Sequence, residues 1–396
     1  MLKSIKYELN PTNSQKQKLN QTFGNCRFVY NLALDKKIKA YQEDKKTLSC
    51  FDLMKELTSF KKKEGFEWLN LSGSQQLQQS VSNLDKAFSN FFRAKKGFPK
   101  FKSKHSKQSF RIPQAVKINF DEYKFFVPKV GWVKFFKDKH IEGEIKFATV
   151  SKSTTGRYFV SITFESTQPR KTGNGVVGVD LGIKHLAITS DGEFFENPKY
   201  LRQNLKKLKK EQRSLSRKFQ KGKEQSNNYR KQRLKVAKIH EKISNQRKDY
   251  LHKLTTYLAT TYETVCIENL SISNMLKNHN LALAINDCGW GMFRQMLEYK
   301  VKDLRVIGRF EPSSKMCSCG VINNDLKLSD REWTCNSCNK THNRDILAAN
   351  NIKNFGLRAS TLNVKTDHYV ISCSEPHILQ SWENVRSSCK QKSVGR

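Results

Sequence analysis

Three carboxylates and four thiolates in this sequence have the types and spacing that hold metal ions. Asp180 ends the apolar run Val176-Val177-Gly178-Val179, and Glu268 ends Thr264-Val265-Cys266-Ile267. A carboxylate at the end of a buried strand is costly to desolvate alone, so each calls for a compensating positive charge. A divalent cation supplies it. A third acid, Asp345, opens a helix predicted from Ile346 to Ile352, where the amino-terminal dipole favours negative charge and simple capping is the alternative role. Acids from three separate elements can chelate two hard Mg²⁺ or Mn²⁺ ions about 4 Å apart, an arrangement that hydrolyses phosphodiesters. The competing reading is three unrelated surface carboxylates.

Of ten cysteines, six are scattered: Cys26, Cys50, Cys266, Cys288, Cys373 and Cys389. The other four form Cys317-x-Cys319, fifteen intervening residues, then Cys335-x2-Cys338. Two thiolate pairs in a chain without an export signal read as a structural Zn²⁺ site rather than disulfides. The first pair is one residue shorter than the common C-x2-C, and His342 is placed to substitute for Cys317 or Cys319. Gly320, Asn336 and Ser337 mark tight polar turns, against the alternative of core thiols.

These groups need elements to position them. Ile5 to Leu9 alternates like a strand and stops at Asn10-Pro11. A helical pattern runs from about Ser14 to Tyr41, with a break expected at Gly24. A clearer helix follows Ser74 through Leu77, Val81, Leu84, Phe88, Phe91 and Phe92. From Phe110 to Glu165 short strands alternate with turns, which predicts a small antiparallel barrel. Gln168 to Gly175 reads as a linker. Beyond it come the Asp180 strand, a second strand at Leu186–Thr189, and a basic helical hairpin with its tip at Gly222–Asn228. The Glu268 strand follows the hairpin.

Charge indicates the partner. The chain has 396 residues, with 73 Lys and Arg against 36 Asp and Glu, a net charge of +37. Twenty of those cations lie between Lys199 and Lys253. A polyphosphate backbone is the natural counterpart, with steep salt dependence. Lys95 to Lys102 interleaves cations with Phe98 and Phe101, which suits phosphate pairing plus stacking. Lys100, Lys102, Lys206, Lys207, Lys209 and Lys210 are the candidate nucleic-acid contacts; a solvated helix face is the alternative for the last four. No apolar run approaches the roughly 18 residues of a membrane span, and Met1 to Lys6 lacks a secretory pattern. The expectation is a cytoplasmic, nucleoid-associated prokaryotic protein, with no membrane and no small-molecule substrate.

Read together and in order, several motifs resemble the TnpB (OrfB) family of insertion-sequence proteins, related to type V CRISPR effectors. They are Cys26-Arg27-Phe28-Val29-Tyr30-Asn31, Gly97-Phe98-Pro99-Lys100-Phe101, Val177 to Gly182, Cys266-Ile267-Glu268-Asn269-Leu270, the block from Pro312 to Cys338, and Arg344-Asp345 followed by Ala348-Ala349. The resemblance implies an α+β multidomain chain. Residues 1–10 would start a wedge β-barrel, 11–95 form a helical recognition domain, and 96–167 complete the barrel. Residues 168–310 would form an RNase H-like RuvC nuclease domain carrying the basic hairpin at 199–258. A zinc ribbon at 311–340, a last nuclease segment at 341–357 and an irregular tail at 358–396 complete the plan. It further implies an RNA-guided DNA endonuclease with guide RNA and double-stranded target DNA as partners, and Asp180, Glu268 and Asp345 as catalytic Mg²⁺ ligands. Asn343 stands where the family usually has Asp, and Leu347 where it usually has Asn. An RNA-guided repressor with a decayed nuclease and a strand-transfer transposase are the rival readings.

Overall fold

The computed structural model describes residues 2–94, 96–136, 140–167, 171–327 and 329–362. They fall into two compact units, divided near residue 170. Lys95, the first residues of the expected linker and residues 363–396 of the expected tail lie outside the described residues.

The first unit begins with strand β1 (Leu2–Asn10). Pro11 ends that strand, and Thr12 then caps helix α1 (Asn13–Asp44): its hydroxyl accepts the Gln15 N–H at 3.3 Å, while Gln15 Oε1 accepts the Thr12 N–H at 3.0 Å. The helix runs unbroken through Gly24. A mid-helix glycine costs only about 1 kcal/mol relative to alanine, and the buried face of Leu19, Phe23, Cys26, Val29, Tyr30 and Leu34 outweighs it. Helices α2 (Cys50–Phe60) and α3 (Ser74–Arg93) pack beside it.

Six further strands complete this unit: β2 (Gln108–Ile112), β3 (Ile118–Asn119), β4 (Lys124–Val127), β5 (Gly131–Phe135), β6 (Glu144–Lys152) and β7 (Tyr158–Glu165). With β1 they form one antiparallel sheet in the order β2-β6-β7-β1-β5-β4-β3. Alternation along β7 buries Tyr158, Val160, Ile162 and Phe164 against the helices. Among the described residues no ladder joins β2 to β3, so the hydrogen bonding gives a sheet with two ends.

The second unit is built on strands β8 (Val176–Asp180), β9 (His185–Thr189) and β10 (Phe194–Glu196). The basic hairpin follows as α4 (Tyr200–Arg217) and α5 (Asn227–Thr261), three residues longer at its end than the pattern suggests. Then come β11 (Thr264–Glu268), α6 (Ile272–Met275), α7 (His279–Cys288), α8 (Trp290–Lys300) and β12 (Asp303–Ile307). A small ribbon of β13 (Glu332–Thr334) and β14 (Thr341–Asn343) leads into α9 (Arg344–Leu362). That last helix continues through residues 358–362, where an irregular tail was expected. The five-stranded sheet has the order β10-β9-β8-β11-β12, antiparallel on the β9 side and parallel from β8 to β12. Val177, Val179, Val265 and Ile267 are fully covered, as central strands with both faces packed must be.

Candidate metal centres and basic face

The carboxyl ends of β8 and β11 lie side by side. Their parallel register pairs Ile267 with Val179, one step before the acids. Asp180 and Glu268 therefore sit on adjacent strands about 4.8 Å apart, on the same face. The third acid arrives on α9. At Gly178 an added methyl would lie 2.0 Å from the Ala349 carbonyl oxygen, so only a bare α-carbon lets the helix come this close. Asp345 is one turn before Ala349 and Asp180 two residues after Gly178, so this contact sets Asp345 at the Asp180 end of the strand. Asn343 caps the helix, its Oδ1 accepting the N–H of Asp345 at 3.1 Å and of Ile346 at 3.2 Å. Where the family usually has Asp, this chain thus keeps an equally good cap.

The acids feel one another. Burial pushes the Asp180 carboxyl up to about 7, and repulsion from Glu268 and then Asp345 adds to it, against the Leu181 N–H and the Arg344 cation. Asp180 nonetheless keeps some solvent contact. Among the described residues the four cysteines are the one group of three or more Cys, His, Asp or Glu side chains whose metal-binding atoms all lie within 4.8 Å of one another. The carboxylates share a neighbourhood without closing on a single point. Hard oxygen donors crowded beyond their charge tolerance fit divalent cations such as Mg²⁺.

Sequence reasoning missed the support of Glu268. The Ser313 hydroxyl donates to its carboxylate. Asn351, buried on α9, donates to the Ser313 and Met316 carbonyls at 2.7 Å each. One helix therefore carries the third acid and also pins the segment that holds the second. The available signal was an Asn on the apolar face of a predicted helix, next to the Ala348-Ala349 pair.

The four cysteines converge as their spacing requires. Cys317 and Cys338 sulfurs lie 3.5 Å apart, and Cys319 and Cys335 3.7 Å apart. Tetrahedral Zn–S bonds of about 2.3 Å imply sulfur separations of about 3.8 Å, so the set fits Zn²⁺. The short first pair closes because Gly320 takes φ +93°, returning its N–H to the Cys317 carbonyl at 2.9 Å. His342 does not replace a cysteine; its Nε2 sits 3.0 Å from Cys317 Sγ. Burial alone would raise the Cys317 thiol, but the Cys319 N–H and His342 outweigh it and bring it down to about 5, ready to bind metal as thiolate. Leu347 packs with Cys317, Leu326, Trp333 and Cys335. An apolar residue at this position joins α9 to the cysteine ribbon.

The basic candidates divide. Lys206, Lys209 and Lys210 share one face of α4 with Arg213 and Arg217, which the sequence reading did not single out. Lys207 is exposed on a different side. Lys100 is exposed too. Lys102 is half-buried: its ammonium lies 3.6 Å from the centre of the Tyr30 ring, and its backbone is clasped by the Asn31 amide at 2.8 and 2.9 Å. Burial lowers its pKa. It fastens two motifs together inside the first unit. The base of α4 is fixed by Asp287, whose carboxylate accepts the Leu201 and Arg202 N–H groups at 2.9 and 3.0 Å and lies 3.3 Å from Arg247.

Three family models match parts of the chain. A family model described as "Probable transposase" covers residues 159–279, and one described as "Cas12f1-like, TNB domain" covers 290–352. A third, described as "Helix-turn-helix domain", covers 1–46, which in this chain is strand β1 and the single long helix α1. A Streptomyces pristinaespiralis protein, provisionally named an RNA-guided DNA endonuclease, is 38% identical over 367 residues, covering 90% of each chain. Escherichia coli K12 InsQ, provisionally named in the same way, is 33% identical over 395 residues, covering 94% of each. The fold resembles that in a solved Cas12f1–sgRNA–target DNA complex, with TM-score 0.51 at 15% identity over 84% of this chain and 81% of that one. With relatives this similar along nearly its whole length, the chain belongs to the TnpB (OrfB) family.

Proposed function

We propose that this protein is a transposon-encoded, RNA-guided, Mg²⁺-dependent DNA endonuclease that cuts double-stranded DNA beside a short flanking motif. The observation that carries the reading is the gathering of Asp180, Glu268 and Asp345 at the carboxyl ends of the central strands β8 and β11, with Asp180 driven up by burial and then by the other two acids. In this reading the second unit is a RuvC-type, RNase H-like domain, and residues 311–340 are its zinc ribbon. The first unit would be the wedge, its seven-stranded antiparallel sheet left open between β2 and β3 among the described residues instead of closed as a barrel, with helices α1 to α3 inserted between its first two strands. The names of the relatives support guide RNA and target DNA as partners.

Asp180, Glu268 and Asp345 would hold the cations. Bound Mg²⁺ would neutralise phosphate charge and make water a stronger nucleophile. Asp180 must give up its proton for the site to fill. Ser313 fixes the Glu268 carboxylate in one orientation, and Asn351 keeps Ser313 in place. The Lys206–Arg217 face grips phosphates without reading sequence, which leaves sequence choice to base pairing with the guide. A nuclease-decayed repressor would have no use for three intact acids.

The test pairs two unrelated targets, each beside the same flanking motif, with matched and swapped guides. Cutting should follow the guide. Asp180→Ala, Glu268→Ala and Asp345→Ala should each abolish cutting while DNA binding stays within a few-fold, since affinity comes mainly from cations. A cut site that ignores the guide would defeat the RNA-guided reading and favour an unguided nuclease or transposase.

A further inference from the structure

The segment between β12 and the cysteine ribbon holds an aromatic residue that the fold does not use. Phe310 is 92% exposed, the most exposed large apolar side chain among the described residues; Phe51 follows at 75%. A lone surface phenylalanine is ordinary in itself. Its position is what distinguishes this one.

Both ends of the segment are tied to Glu268. Ile307, at its start, is the ladder partner of Glu268. Ser313, at its end, donates to the Glu268 carboxylate and is held from behind by Asn351. Phe310 lies midway, three residues from each anchor, so its α-carbon is within about 11 Å of both by chain length alone. Arg309 beside it is exposed as well. Glu311 turns back toward Gly308, with its Oε1 3.4 Å from where a Gly308 Cβ would stand. The result is a short loop, anchored at both ends to Glu268, that presents an exposed ring and an exposed guanidinium.

We infer that Phe310 is a stacking platform for an unpaired base of the DNA strand being cut, with Arg309 on the adjoining phosphate. This rests on the nuclease reading above. A ring face accepts any base, which suits an enzyme whose sequence choice lies elsewhere. Anchoring the loop through Glu268 fixes the distance between the stacked base and the acids, so the strand is placed and not merely attracted. Phe310 is on this account a positioning residue.

The test uses the full chain with its guide RNA and a matched target carrying 2-aminopurine at successive positions around the cut. Quenching is read without added Mg²⁺, and cleavage separately with it. Phe310→Ala should lose the quench at one position and raise the DNA concentration for half-maximal cleavage about ten-fold, the scale of one base–aromatic stack. Phe310→Tyr and Phe310→Trp should stay within about two-fold of wild type. Phe51→Ala, a comparably exposed control, should change neither readout. If Phe310→Ala quenches and cleaves like wild type, the platform is refuted while the nuclease reading stands. An effect of Phe310→Ala on oligomeric state alone would also refute it, in favour of a contact between copies. If wild type cuts nothing with a matched guide, the nuclease reading falls, and the quench still decides whether Phe310 touches a base.

Discussion

An acid that keeps its proton near neutral pH makes the fold itself pH-sensitive. Asp180 titrates at about 7 in the folded chain against an ordinary 3.8, because burial and two neighbouring acids disfavour its charge. Between those pH values the folded chain holds a proton that the unfolded chain releases. Stability linked to this group is therefore full below about 4 and lost as pH rises through 7. Without added Mg²⁺, wild-type Tm should fall by several degrees relative to Asp180→Asn between pH 5 and pH 8, and Mg²⁺ should narrow the gap. Parallel melting curves would show it; equal pH profiles would mean that the carboxyl is not short of positive charge. Asp180, Glu268 and Asp345 were legible because an acid ending an apolar run, or opening a helix, stands out. Ser313 was not, since nothing local distinguishes a serine that supports a carboxylate from one in a ribbon turn. The contact of Lys102 with Tyr30 was not legible either: the ring lies more than seventy residues earlier, and no local pattern shows that.

At the scale of elements, α9 joins the acid cluster to the cysteine cluster. Asp345 opens it, Leu347 packs into the cysteine ribbon, Ala349 lies on Gly178 and Asn351 holds the Ser313 segment. Cys335→Ser should release the single Zn²⁺ expected per chain and slow cleavage at least ten-fold, although no cysteine touches an acid. Metal analysis beside a cleavage assay checks both halves; full activity in a zinc-free variant would show that α9 holds its place unaided. Most elements were readable from periodicity, since apolar alternation or three-and-four spacing must match the face that is buried. The unbroken passage of α1 through Gly24 was not, because tertiary burial overrides a weak local preference. Strand order was equally invisible: β1 pairs with β7 across more than 140 residues, and no short window contains that information.

For the molecule as a whole, the proposed function makes charge decide how nucleic acid is held. With +37 on the chain, each phosphate contact releases a condensed counterion, and the logarithmic salt slope falls by about 0.7–0.9 per contact. Replacing Lys206, Lys209, Lys210 and Arg213 by Ala should weaken binding for all guides alike and flatten that slope by about three. Lys207→Ala should do less than Lys210→Ala, because it lies off the shared surface, about 60° round the helix from Lys210. Binding titrations across a salt series would separate these outcomes; an unchanged slope in the quadruple variant would make the face a solvated one.

The hairpin that carries this face is pinned at its base by Asp287, and its far end is an exposed turn at Gly222, where φ is +75°. Its length is therefore free to drift while its attachment is not. Seven residues added to each arm would extend it by about 10 Å and rotate its tip by only about 20° about the hairpin axis. Two or three would swing the tip to another side. Insertions near the tip should thus accumulate over evolutionary time in whole heptads, as graduations on a ruler whose zero mark is Asp287.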